Sequence, residues 1–219
     1  MNWTDTLTTI DVETLAAPLP SMAVADADKA TQIGSDRRHV GRTERAVMLD
    51  ARRLQNAIKH IGRLPDPGEA FHLITEKAYS MMHVIPAVLH YAAPVRIRYL
   101  AIVTLSFSRV NMVDLLAMID SGEIERVDFA YSVYFKSNNK DQCTQLAEGL
   151  TARGQRVYSG LIHAKILLIE LDDGRAFTVE SSANLRSCAS VEQITIFHDR
   201  PLLEFHRTWI SGLMENQTK

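Results

Sequence analysis

Residues Leu161–Phe197 read LIHAKILLIELDDGRAFTVESSANLRSCASVEQITIF, and the fold turns on how that stretch is parsed. Ile162 to Glu170 has strand composition, and side chains alternate across a strand, so His163 and Lys165 leave the same face. An imidazole and an ammonium then project side by side. Asp172-Asp173-Gly174 is a tight-turn sequence, which makes Arg175 to Glu180 a returning partner strand that ends in Ser181-Ser182-Ala183-Asn184. The hairpin carries a hydroxyl and a carboxamide back towards His163 and Lys165. A third strand, Glu192 to Phe197, opens on a carboxylate. A nucleophile or base, a cation, two neutral donors and an orienting carboxylate are the groups needed to hold a phosphate and attack its phosphorus.

Working outward, Arg96 to Phe107 is a strongly apolar strand, Val110 to Ile119 a helix and Arg126 to Phe135 a strand. Asp141 to Ala152 is a helix, Arg156 to Tyr158 a short strand, and Pro201 to Met214 an amphipathic helix bearing Leu202, Phe205, Trp209 and Leu213. Strands alternating with helices predict an α/β fold, a mixed but mainly parallel sheet flanked by helices. Ligands of such sheets collect at the carboxyl ends of the strands. Ser106 and Ser108, at the end of the first strand, are therefore either supporting donors at the site or turn and capping hydroxyls ahead of Val110.

Residues 1–35 carry Lys29 against Asp5, Asp11, Glu13, Asp26 and Asp28 without helical or strand periodicity, which reads as a flexible acidic leader. From Asp36 the charge inverts, and residues 36–92 read as a basic, helical N-terminal extension to an α/β domain spanning residues 93–219. Val47, Leu54, Ile58 and Ile61 recur at helical spacing, with Arg52, Arg53 and Lys59 off that stripe. Those three cations are either a solvated helix face or contacts to a phosphate backbone. Leu64-Pro65-Asp66-Pro67-Gly68 ends this helix, and a second helical pattern runs from Glu69 to Tyr91. Its Met81-Met82 pair reads as core filling. His72, His83 and His90 lack the i, i+4 spacing of a metal pair and read as packing or surface residues.

At 219 residues, 46% hydrophobic and 23% charged, the chain has the composition of an ordinary soluble protein with one core. No apolar run approaches the length of a membrane span, and the start, MNWTDTLTTIDVETL, is unlike a signal peptide, so no membrane partner and a cytoplasmic location are expected. Cys143 and Cys188 stand far apart with no C-x-x-C partner, which points away from a disulfide scaffold and from zinc. No metal or cofactor is expected. A net charge of -2 means that any positive patch is local or the substrate small.

His163-x-Lys165, an acidic Glu170 five past the Lys, the segment Ser181-Ser182-Ala183-Asn184 and Glu192 eight past the Asn resemble the HKD motif of the phospholipase D superfamily. The usual pattern is H-x-K-x4-D-x6-G-S-x-N. This chain has Glu for Asp at 170, ten residues instead of six between Glu170 and Ser181, and Ser181 where Gly is usual. A Gly there allows close backbone approach to a ligand, so Ser181 is the most consequential change. The resemblance implies a phospholipase D-like fold and metal-independent phosphodiester hydrolysis, in which His163 attacks phosphorus to form a phosphohistidine. Lys165 and Asn184, assisted by Ser182, would neutralise the equatorial oxygens, and Glu192 would bond the far nitrogen of His163. Glu170, Ser181, Ser106 and Ser108 would support them.

The mechanism needs two imidazoles and the chain holds one such motif. The resemblance implies a homodimer with a composite site, the arrangement of single-motif members. Those members imply a nuclease, and the basic segment favours nucleic acid, DNA before RNA. The alternatives are a non-catalytic phospholipase D-like module that binds DNA or a protein, and a phosphodiesterase of lipids or small molecules.

Overall fold

A computed structural model describes residues 42–186 and 190–215, with the backbone alone for residues 42–49. The acidic leader, Cys188 and the Val47 side chain lie outside what is described. The chain runs α1 (Arg42–Ile61), β1 (Ala70–Glu76), a 3-10 turn (Met81–His83), α2 (Val84–Ala92), β2 (Ile97–Thr104), α3 (Arg109–Asp120) and β3 (Ile124–Ser132). It continues through α4 (Val133–Asn138), α5 (Lys140–Thr151), β4 (Arg156–Gly160), β5 (Ile166–Leu171), β6 (Ala176–Ser181), β7 (Val191–Phe197) and α6 (Arg200–Glu215).

The strands form one sheet in the order β1-β7-β6-β5-β2-β3-β4. Helical crossovers make β2, β3 and β4 parallel, while β2 with β5, β5 with β6, β6 with β7 and β7 with β1 are antiparallel. The sheet is thus mixed but mainly antiparallel, which corrects the expected mainly parallel one. The link from β4 to β5 is the reason. β5 lies beyond β3 and β2, about 14 Å away at ordinary strand spacing. The residues between, 161–165, can reach only the near end of β5 and cannot return to the start of the sheet. The chain therefore passes over the carboxyl ends of β2 and β3 and descends β5 in the opposite sense.

A second correction concerns residues 69–91. Instead of one helix, Ala70–Glu76 is an edge strand paired with β7, Ala70 opposite Phe197 and Glu76 opposite Val191. The buried Leu73 and Thr75 alternate with exposed His72, Ile74 and Glu76, a two-residue period hidden inside an apolar run that also fits a helix. The helical extension is therefore interrupted by a strand that belongs to the main sheet.

The sheet has helices on both faces. One face buries Leu100, Ile102, Phe129, Leu167, Ile169, Phe177 and Val179 against Ala57 and Ile61 of α1, Ile85 and Val88 of α2, Leu115 of α3 and Leu146 of α5. The other packs Ala101, Val103, Ile166 and Leu168 against Leu203, Ile210 and Met214 of α6. The stripe of α6 is rotated by one residue from the expected one, leaving Phe205 exposed. His206 turns inward to Glu180, Nε2 to Oε1 at 2.9 Å, and accepts from Trp209 Nε1 on Nδ1 at 3.1 Å. The buried stripe is Leu203, His206, Ile210 and Met214, and its one polar member is fastened to β6 by its contact with Glu180.

Candidate active site at the head of β5

His163 and Lys165 sit in the crossing segment just before β5, whose first strand residue is Ile166, later than the expected Ile162. They still share a face. Lys165 Nζ donates to the His163 carbonyl at 2.7 Å and lies 3.1 Å from His163 Nδ1. His163 is exposed and Lys165 half-buried. Burial lowers the Lys165 pKa, and the neighbouring Glu192 carboxylate works against that fall.

The hairpin does bring the polar tail of β6 to this place. Ser182 N donates to Gln193 O at 3.0 Å, Gln193 N donates back to Ser182 Oγ at 2.9 Å, and the Ser182 hydroxyl donates to Glu192 Oε2. Glu192 is thus bonded to Ser182 rather than to His163, because β7 presents it opposite the β6 terminus and beside the Lys165 ammonium. Ser181 uses its hydroxyl to make the turn: Oγ donates to Gln193 O at 2.7 Å and accepts from Ala183 N at 2.9 Å. Asn184 Oδ1 is buried with no partner among the described residues.

Ser106 and Ser108 divide. Ser108 caps α3, its Oγ accepting from Asn111 N at 3.1 Å while Asn111 Oδ1 accepts from Ser108 N at 3.0 Å. Ser106 is buried, its hydroxyl unpartnered among the described residues. The residue that ties this strand end to the site is Thr104, whose Oγ1 accepts from Leu185 N at 3.2 Å and donates to Ser106 O at 3.0 Å. Thr104 anchors the residue after Asn184. Its place at the carboxyl end of β2 was the available signal, and nothing local marked it above its neighbours.

Glu170 is not in the site. It lies at the other end of β5, and on the opposite face of the sheet from Lys165, where Arg98, Arg200 and Arg207 all donate to its buried carboxylate. Burial pushes its pKa up, but the bonds from Arg200, Arg207 and Arg98 prevail and hold it at about 2. The five-residue spacing from Lys165 spans about 17 Å of strand and reverses the side, so this carboxylate is a fastening between β5, β2 and α6.

Arg52, Arg53 and Lys59 lie on α1, which packs on α2 and β1; Arg52 and Lys59 are exposed and Arg53 half-buried. They share no hydrogen bond or ion pair with the His163 group. His83 is a buried packing residue: Nδ1 accepts from Ser80 N at 3.1 Å and Nε2 meets Asp50 Oδ1 at 3.0 Å, with burial lowering its pKa. Among the described residues no cluster of three His, Cys, Asp or Glu side chains is placed to hold a metal ion, and no helix is long and apolar enough to cross a membrane.

No protein-family profile and no curated protein matches the chain. Solved structures do. Polyphosphate kinase from Porphyromonas gingivalis aligns with a TM-score of 0.51 at 13% identity, over 69% of this chain and 28% of that one. A phospholipase D family member, Nuc, from Salmonella typhimurium aligns at 0.49 and 13% identity over 66% of this chain and 93% of that one. Phosphatidylserine synthase from Haemophilus influenzae Rd KW20 aligns at 0.44 and 13% identity over 66% and 38%. At such identity the likeness concerns the fold. The chain has a mixed α/β fold similar to that of the matching part of the Porphyromonas gingivalis polyphosphate kinase.

Proposed function

We propose that the protein is a metal-independent phosphodiesterase, acting as a nuclease on DNA through a phosphohistidine. The observation that carries this reading is the Lys165 ammonium 3.1 Å from His163 Nδ1, over the carboxyl ends of β2 and β3, with Ser182 and Glu192 gathered by the hairpin. With Lys165 donating to Nδ1 the neutral ring carries its proton on Nε2, so Nε2 becomes the attacking nitrogen only once that proton is on Nδ1. Attack requires the ring proton on Nδ1, so Lys165 must turn from the ring to the incoming phosphate. A phosphate oxygen is the stronger partner for an ammonium than a neutral imidazole nitrogen.

The steps then balance. Nε2 of His163 bonds phosphorus and the P–O bond to the leaving group breaks. The alkoxide takes a proton from the imidazolium of a second His163. That imidazole next removes a proton from water, which displaces His163. Lys165 and the Asn184 carboxamide stabilise charge on the equatorial oxygens, with Ser182 held by Glu192 beside them. Because one histidine cannot serve as both nucleophile and separate acid, the second comes from another copy of the chain in a homodimer. The exposed cations Arg52 and Lys59, with Arg53, support a nucleic-acid substrate.

The test is cleavage of plasmid and single-stranded DNA in excess chelator, with wild-type and His163→Ala chains exchanged at equal amounts. Random pairing leaves about a quarter of dimers with two intact histidines, and activity per dimer should fall towards that fraction. Activity at one half, or a hydrolytically active monomer by light scattering, defeats the composite site. The second reading, a non-catalytic binding module, is favoured by the same 3.1 Å contact. If Lys165 stays on Nδ1, the proton sits on Nε2 and the ring is no nucleophile. DNA bound without any cleavage would support that module.

A further inference from the structure

The face of the sheet away from His163 carries an arginine cluster that the proposed reaction does not use. A cavity of about 350 Å³ opens there, lined by Arg98, Glu125, Arg126, Glu170, Arg207 and Ser211 around the buried Tyr99. Three features make it more than a surface of mixed charge.

The first is how Arg98 arrives. In the β2–β5 ladder Ile97 faces Leu171 and Tyr99 faces Glu170, so Arg98 is an extra residue with no partner. Such a bulge re-aims a side chain, and here it sends the Arg98 guanidinium to the same carboxylate that the register assigns to Tyr99. The second is a surplus of cations over acceptors. Glu170 already receives Arg98, Arg200 and Arg207. Asp128 is fully buried and spends its oxygens on Arg156 and on Tyr99 Oη, the latter at 2.8 Å. Arg126 reaches Asp128 only at 3.9 Å and lies with its guanidinium 5.4 Å from the Tyr99 ring centre. The third is Arg207, which stacks on the same ring at 4.8 Å, shares Glu170 and Glu204, and still keeps a buried Nε without an acceptor among the described residues.

Arg98 and Arg207 are held by the buried Glu170, and their remaining N–H groups, with those of the less restrained Arg126, suit planar or tetrahedral oxygens. The low-dielectric floor strengthens the field that they share. Against this stands Glu125 on the rim, an exposed carboxylate that weakens the site without filling it. The volume is too large for a bare phosphate and suits a small ligand. We propose that this cavity is a second anion site, binding the phosphate end of a small phosphorylated molecule on Arg98, Arg126 and Arg207, independently of the His163 centre.

Pyrophosphate is the probe, titrated calorimetrically in a Lys165→Ala chain so that the His163 centre cannot hold it through its ammonium, with sodium chloride at equal ionic strength as the blank. Affinity in Lys165→Ala should match wild type within about twofold, since the two places share no residue. Arg126→Gln and Arg98→Gln should each weaken it about tenfold or more, the size of one lost charge-assisted hydrogen bond. Glu125→Gln should tighten it severalfold. Arg126→Gln leaves every close hydrogen bond of Asp128 in place, so the fold survives, which a thermal melt confirms. Binding that disappears with Lys165→Ala, binding indifferent to both arginine variants, or no heat beyond the chloride blank would each overturn the site.

Discussion

The two ends of β5 hold the same kinds of groups and treat them oppositely. At its head His163 is exposed and Lys165 half-buried, and the ammonium's partners are a carbonyl and an imidazole nitrogen, both of which it can leave. At its tail Glu170 is buried to 3% exposure and grips three guanidiniums at once. A charge that must act on a substrate is left accessible and under-partnered, whereas one that joins elements is desolvated and saturated. Two residues five positions apart thus differ in kind: Glu170 joins elements, and Lys165 is left free for the role proposed for it.

The sharpest way to break the contrast is at the head. His163→Ala should remove all turnover while leaving the thermal midpoint close to wild type, because the exposed ring packs against nothing that folding requires. Wild-type cleavage rates in pure His163→Ala protein would erase the assigned difference. Lys165→Ala should lower kcat by about a hundredfold or more, the usual cost of a donor aimed at developing charge, again with little loss of stability.

At the tail the expectation inverts. Glu170→Gln should cost about 1–3 kcal/mol in chemical denaturation, since it removes the charged acceptor that three part-exposed guanidiniums share. Its effect on cleavage by the protein that remains folded should be small. The pH dependence sharpens the point. The folded pKa of Glu170 is depressed from its ordinary 4.5 to about 2. Its stabilisation is therefore complete above the unfolded value and is lost as pH falls from about 4.5 towards 2. Denaturation midpoints should show an acid limb in that window for wild type and a reduced one for Glu170→Gln.

The smallest effect belongs to a third place, the exposed side of α1. Replacing Arg52, Arg53 and Lys59 together should weaken DNA binding for all sequences and reduce the slope of log affinity on log salt, by about 0.9 for each phosphate that is no longer neutralised. An unchanged slope makes that side a solvated helix face.

The site was legible where the chain is local. A turn at Asp172-Asp173-Gly174 returns β6 on β5, and this alone brings Ser182 near Lys165. The strand at Ala70–Glu76 was not legible, because its alternation is embedded in residues that also satisfy a helical period and its partner β7 lies more than a hundred residues away. Glu192 does stand at the start of β7, but its partner differs from the expected imidazole: the register of β7 determines what its carboxylate reaches, and the hydroxyl within reach belongs to Ser182.

By itself the sequence determined that β2, β3 and β4 alternate with helices, that a hairpin returns the Ser181-Ser182 segment beside the His163–Lys165 segment, and that α1 carries Arg52, Arg53 and Lys59 off its apolar stripe. Those are consequences of side-chain periodicity and turn chemistry, which act within a few residues. Only the tertiary structure decided that the sheet is mainly antiparallel, since that follows from how far a short link can reach across intervening strands. The five-residue spacing along a strand already sets Glu170 on the face opposite Lys165, and the tertiary structure alone decided what it meets there. The arginines around that carboxylate, from β2 and α6, meet only when strands and helix close on one another, so no local pattern could have announced them.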